Sequence, residues 1–234
     1  MNNEKFNQFD SIIAVIAFGS KARGDNDENS DSDIFILCEN IDFREISDLK
    51  SNFGELIKIH PSNFSIYCKT EFNLMLKKGS LFAWHLKLEG KIIYSRIDLV
   101  SIFKELQPYS NHKKDLLLYE SLLGDSKESI IIFGVNIFDL ATLFTVCRNC
   151  CMVICHKLNH ISFGRLSVYY ITKELLKEKI LLKESNYLML LSWKLLYSRG
   201  ITFDDPLPSL SETELIIKEI EYLISIGLKV CDDE

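Results

Sequence analysis

Phe18-Gly19-Ser20-Lys21-Ala22-Arg23-Gly24, a polar run from Asp25 to Ser30, and then Asp31-Ser32-Asp33-Ile34-Phe35-Ile36-Leu37 form the stretch that decides the reading of this chain. An apolar run, Ile12 to Phe18, leads into it and has strand character. At Gly19-Ser20 the missing side chain lets a phosphate approach the backbone, and the neighbouring hydroxyl can donate to it. A short helix starting there would turn its positive end toward the same anion, and Arg23, one turn on, would reach it with a planar fork of donors. Gly24 and Asp25 to Ser30 then make the turn back into a second strand. Asp31 and Asp33 stand two apart at the entrance to Ile34–Leu37, so in a strand both carboxylates point to one face. Paired carboxylates beside an anion cradle suggest magnesium, a hard cation that takes oxygen ligands and can clamp an in-line phosphoryl displacement.

Glycine-serine, ten residues, and then aspartate-x-aspartate running into an apolar strand resembles the signature of the nucleotidyltransferase superfamily that includes polymerase β and the kanamycin nucleotidyltransferases. The resemblance spans roughly residues 10–100 and is strongest to small bacterial proteins in which a minimal catalytic domain precedes a helical domain. It implies that Gly19 and Ser20, with Arg23 beside them, bind a nucleoside triphosphate such as ATP. Asp31 and Asp33 would coordinate magnesium, or manganese in its place, and serve as the catalytic carboxylates. The activity implied is transfer of a nucleoside monophosphate to an acceptor hydroxyl on a protein, an RNA end or a small molecule. Relatives of this kind include antitoxins that modify a partner toxin, so a protein partner is also implied.

One part of the family pattern is missing. A third carboxylate ordinarily stands on a neighbouring strand, here the run Phe64 to Cys68. Alternation puts Asn63, Ser65 and Tyr67 on one face of that run and Phe64, Ile66 and Cys68 on the other, so its polar face holds no acid. Asn63 or Ser65 then stands in the third place, or Glu55 or Glu71 substitutes for it under a shifted register. This sets a second expectation beside transferase activity: a nucleotide-binding antitoxin or defence-complex subunit that acts through its partner.

The rest of the chain agrees with a compact protein. Its 234 residues are 47% hydrophobic and 26% charged, an ordinary globular balance. The net charge of -6 disfavours nonspecific grip on long nucleic acid, which rests on basic contacts to phosphate. No run of about 18 uncharged apolar residues and no apolar leader are found, and the seven scattered cysteines do not resemble a secreted disulfide framework, so a cytoplasmic protein without a membrane span is expected. Strands are expected at Ile12–Phe18, Ile34–Cys38, Leu56–His60, Phe64–Cys68 and Lys91–Tyr94. Helical spacing takes over afterwards, at about 112–124, 136–158, 164–179, 185–199 and 211–229, the last opened by a capping box of Ser211 and Glu214. The expected fold is therefore α+β: a small mixed-sheet nucleotidyltransferase domain over residues 1–100, followed by an all-α helical bundle over 101–234.

Other residues invite chemistry less strongly. Cys147, Cys151 and Cys155 share a helix face, but buried cysteine packs as a small hydrophobe and zinc sites draw paired ligands from loops. Arg148 and His156 resemble the arginine–histidine pair of HEPN-class ribonucleases, at a wider spacing than that motif has. Packing is the reading favoured for the cysteines, packing or phosphate binding for the Arg148–His156 pair, and a structural role for His85.

Overall fold

The structure, a computed structural model, describes residues 6, 9–24, 32–39, 42–60, 63–177 and 181–232. Contacts divide the chain into two compact units, 1–110 and 111–234.

The first unit is built on a four-stranded sheet in the order β3-β2-β1-β4. Strand β1 (Ile12–Phe18) pairs antiparallel with β2 (Asp33–Cys38) and with β4 (Lys91–Ser95), while β2 pairs parallel with β3 (Phe64–Cys68), so the sheet is mixed. The apolar runs of β1 and β2 are central because both of their faces are covered. Phe35 and Leu37 pack with Ile16, Phe18, Phe72 and Leu86 on one side. Ile34 and Ile36 pack with Val15, Phe53 and Phe64 on the other. A strand buried on both faces reads as a continuous apolar run rather than an alternation, which is the pattern of residues 34–38.

Helices fill the connections. Helix α1 (Gly19–Arg23) follows β1 directly and ends at Gly24 in the left-handed conformation. Helix α2 (Phe43–Ile57) begins at a reciprocal capping box: Asp42 accepts from Arg44 N and Glu45 N, and the Glu45 carboxylate accepts from Asp42 N. Residues 56–60, expected as a strand, instead carry the end of α2 and its exit through Lys58, at φ 56°. Leu49 and Phe53, one helical turn apart, are both buried, and Leu56-Ile57 extends that helical stripe. A five-residue stretch with three apolar residues does not by itself separate the two periods. Helices α3 (Lys69–Lys77) and α4 (Leu81–Glu89) lead to β4, and α5 (Leu99–Ile102) continues into a 3₁₀ turn at Phe103–Glu105.

The second unit is all-helical: α6 (His112–Phe133), α7 (Ile137–Lys157), α8 (Ser167–Leu176), α9 (Glu184–Arg199) and α10 (Leu210–Asp232). Helix α7 is the core element, touched by all four others. It is long and apolar enough to cross a membrane by length and composition, although 61% of its apolar window is buried inside the fold, as a central helix requires. Cys147, Cys150, Cys151 and Cys155 have no exposed surface, and burial pushes all four thiols up. They pack as core residues. The cap of α10 lies two residues earlier than the sequence suggests: Ser209 N donates to Glu212, and Glu212 N donates to Ser209 Oγ.

Candidate active site

Gly19 and Asp33 meet because β1 and β2 pair antiparallel. Phe18, the last residue of β1, stands opposite Asp33, the first of β2, so the chain leaving β1 passes directly beside the Asp33 side chain. Gly19 has φ +76°, a backbone region that L side chains rarely adopt. A side-chain carbon at this position would also overlap Asp33 Oδ2. Conformation therefore favours glycine, and a side chain here would also displace the Asp33 carboxylate oxygen from the space it occupies. Ser20 follows, half-buried, within α1.

Asp33 shares a face of the sheet with Phe35 and Leu37, the face covered by α3 and α4. On the parallel neighbour, Ser65 pairs with Phe35 and alternates with Phe64 and Ile66, which pack into the opposite core. Ser65 thus lies on the Asp33 face, and Asn63 stands one residue ahead of the Ile34–Phe64 pair, as Asp33 does on β2. The two alternative acids are placed elsewhere. Glu55 is exposed on α2, the helix whose Leu49 and Phe53 pack into the opposite core. Glu71 is exposed in the first turn of α3, where its carboxylate accepts from Cys68 N. Ser65, on the Asp33 face of β3, and Asn63, level with Asp33, are therefore both neutral. Asp31 and the turn residues 25–30 lie outside the described residues, so the pairing of the two aspartates on one face is not described.

Donor chemistry decides whether magnesium suits this place. The Asp33 carboxylate beside Gly19, the hydroxyl of the next residue, Ser20, and the polar side chains of Asn63 and Ser65 on β3 are all able to offer the oxygen ligands a hard divalent cation takes. Among the described residues no group of three His, Cys, Asp or Glu side chains gathers to hold a metal.

Arg23 was expected at the phosphates, and the structure shows what fixes it. Its Nη1 donates to Glu89 Oε2 at 2.7 Å, and His85 Nε2 lies 2.9 Å from the same oxygen. The three side chains are only 20%, 16% and 13% exposed. Burial alone would raise the Glu89 carboxyl, but the hydrogen bonds from His85 and Arg23 and their charge outweigh it and hold the group below the usual carboxylate range. The His85 ring also meets Phe18 edge to face. The sequence carried one sign of this cluster, the i,i+4 spacing of His85 and Glu89 on one helix face.

In the helical unit, Arg148 and His156 are engaged separately. Arg148 donates from Nη2 to the Phe163 carbonyl at 2.6 Å and from Nη1 to Asn149 Oδ1, while His156 Nδ1 lies 3.0 Å from His112 Nε2. These contacts tie α7 to the segment before α8 and to the start of α6.

Residues 3–99, less than half of the chain, match the family Polymerase beta, Nucleotidyltransferase. Among solved structures, the chain is similar to a spectinomycin adenyltransferase AAD(9) from Enterococcus faecialis, crystallised with ATP and spectinomycin. That likeness has a TM-score of 0.52 and 16% identity, and covers 97% of this chain and 94% of the other. A second similarity, to a toxin-antitoxin structure with AMP-PNP, covers 56% of this chain and 96% of that one at 17% identity, with a TM-score of 0.31, too low to support a structural argument. No curated protein matches.

Proposed function

We propose that this chain, whose N-terminal domain belongs to the polymerase-β nucleotidyltransferase superfamily, binds a nucleoside triphosphate with magnesium and transfers its nucleoside monophosphate to an acceptor. One observation carries the proposal: the Asp33 carboxylate occupies the space beside Gly19 that any side chain would need. In this reading the backbone that would bind phosphate and the carboxylate that would hold metal lie side by side at the end of the β1–β2 pair.

The chain's own residues have distinct tasks in this reading. Gly19 admits a phosphate to the backbone, Ser20 donates a hydroxyl to it, and Arg23 adds charge. Asp33, with Asp31, would hold magnesium, which when bound offsets the charge of the triphosphate and of the departing pyrophosphate. An acceptor oxygen attacks the α-phosphorus, the bond between the α-phosphorus and the bridging oxygen breaks, and pyrophosphate leaves. If the acceptor is a hydroxyl, its proton must go to a base. Neither Asn63 nor Ser65 is one at neutral pH. ATP is the favoured donor, because the similar full-length structure was solved with it. The acceptor is to be sought among proteins, RNA ends and small molecules alike.

The neutral β3 position supports a second reading, in which the domain binds nucleotide but works through a protein partner in a toxin–antitoxin or defence complex. Both readings need the same cradle. Titration of the protein with ATP, with and without magnesium, tests it: metal-dependent binding should be present in the wild type and weakened at least about tenfold in Asp33→Ala and Gly19→Ala. Equal binding by all three proteins would dismiss the site. Between the readings, Asp31→Ala should abolish cellular function while leaving a partner bound if the protein is an enzyme.

A further inference from the structure

Helix α1 carries both residues of the phosphate cradle, yet it has only five residues, Gly19–Arg23. A helix this short has no stability of its own and takes its position from what holds it. One end is fixed covalently to β1. At the other end Arg23 is joined to Glu89, the last residue of α4 and 66 positions away in sequence. Glu89 is itself held rigidly. His85, one turn earlier in α4, brings Nε2 to 2.9 Å from the same oxygen and packs edge to face on Phe18, the residue just before the cradle. The next residue, Gly90, is pressed so closely onto β1 that a side-chain carbon there would overlap Leu86 O and crowd Ile16 Cγ2. Glu89 therefore stands beside the far end of a five-residue helix, with the Phe18 ring and His85 between them.

We propose that Glu89, braced by His85, is the positioning residue of the nucleotide site: it orients Arg23 and holds α1 so that Gly19 and Ser20 present a preformed cradle to the triphosphate. This rests on the nucleotide-binding reading above and deepens it. Both partners are mostly withdrawn from water, so the pair is not the loose surface contact whose loss goes unnoticed. Arg23 donates to the carboxylate oxygen that His85 Nε2 also approaches, so replacing the carboxylate by an amide removes the charge facing both while keeping the shape. Preformed geometry improves affinity by cutting the ordering cost of binding, and that is the quantity to read.

The experiment compares magnesium–ATP affinity by calorimetric titration in wild type, Glu89→Gln, Arg23→Ala and the double variant, with thermal melts of each nucleotide-free protein. Glu89→Gln should weaken binding about tenfold, because a charge-assisted bond is replaced by a neutral one. Its effect should vanish in the Arg23→Ala background, since Glu89 acts through Arg23. A merely structural Glu89 would lower the melting temperature and weaken binding by the same factor in both backgrounds. That result, or a folded Glu89→Gln protein that binds as the wild type does, overturns the proposal. His85→Gln, which leaves the Arg23–Glu89 pair in place but unbraced, gives a milder version of the same test should Glu89→Gln not fold, with weakened binding expected and unchanged binding contradicting it. Wild-type protein that binds no nucleotide would overturn the underlying reading instead.

Discussion

At the scale of single residues, the site is defined by what each position excludes. Gly19 disfavours a side chain, by its positive φ and by the carboxylate beside it. Its importance was legible from the sequence as the end of an apolar run, but the reason was not, since only the β1–β2 register brings Asp33 against it. In the proposed reaction Asn63 or Ser65 stands where a carboxylate would take up the proton, and neither side chain does so at neutral pH. Positioned general bases contribute about a hundredfold or more to rate, so Asn63→Asp should raise monophosphate transfer to a hydroxyl acceptor at least about tenfold if the neutral residue is what limits the reaction. Initial rates of label transfer, with ATP affinity measured in parallel, check this. A variant that binds ATP normally and transfers no faster would mean that the base, if one is used, comes from elsewhere.

At the scale of elements, sequence reading succeeded where one period ruled and failed where two competed. Strands β1 and β2 were legible because their apolar runs are bounded by glycine and by polar turns; the helices of the second unit were legible from long apolar spacing. The end of α2 was not, because Leu56 to His60 satisfies a strand as well as a helix until the capping box at Asp42–Glu45 and the buried Leu49–Phe53 stripe are taken together. The α10 cap was misplaced because two serines, Ser209 and Ser211, each precede a glutamate by three residues, and only the backbone decides between them. Contacts between elements were the least legible. The junction of α6 and α7 holds the His112–His156 pair, and burial, then the charges of His156 and Lys157, push His112 down to about 4 against a partial opposing pull from Asp115. The fold therefore favours the neutral ring. Its contribution to stability is complete above the ordinary value of 6.5, declines as pH falls toward about 4, and changes no further below that. Thermal melts from neutral to acidic pH should show a decline that is shallower in His112→Gln; parallel curves would show that the pair does not carry the dependence.

At the scale of the whole molecule, the two units have separate architectures and separate cores, and the likeness to a solved adenyltransferase extends over 97% of the chain although only residues 3–99 match the family itself. That contrast has a physical basis. The cradle needs particular residues at fixed spacing, so it leaves a signature in sequence, whereas a helical bundle needs only apolar residues at helical intervals and many sequences meet that demand. The net charge of -6 is a property of the whole chain and bears on partners rather than on fold. The acceptor is likewise a question for the intact protein.

Transfer of labelled α-phosphate is the measurement that bears most directly on the central claim. ATP, CTP, GTP and UTP would each be supplied with magnesium, and then with manganese, to the intact protein in the presence of whole-cell extract, beside the Asp31→Ala/Asp33→Ala double variant. The account predicts label on a discrete acceptor, strongest with ATP, dependent on the metal and lost in the double variant. Label that persists without the two aspartates, or metal-dependent ATP binding with no transfer of any label, would contradict the assignment as a transferase.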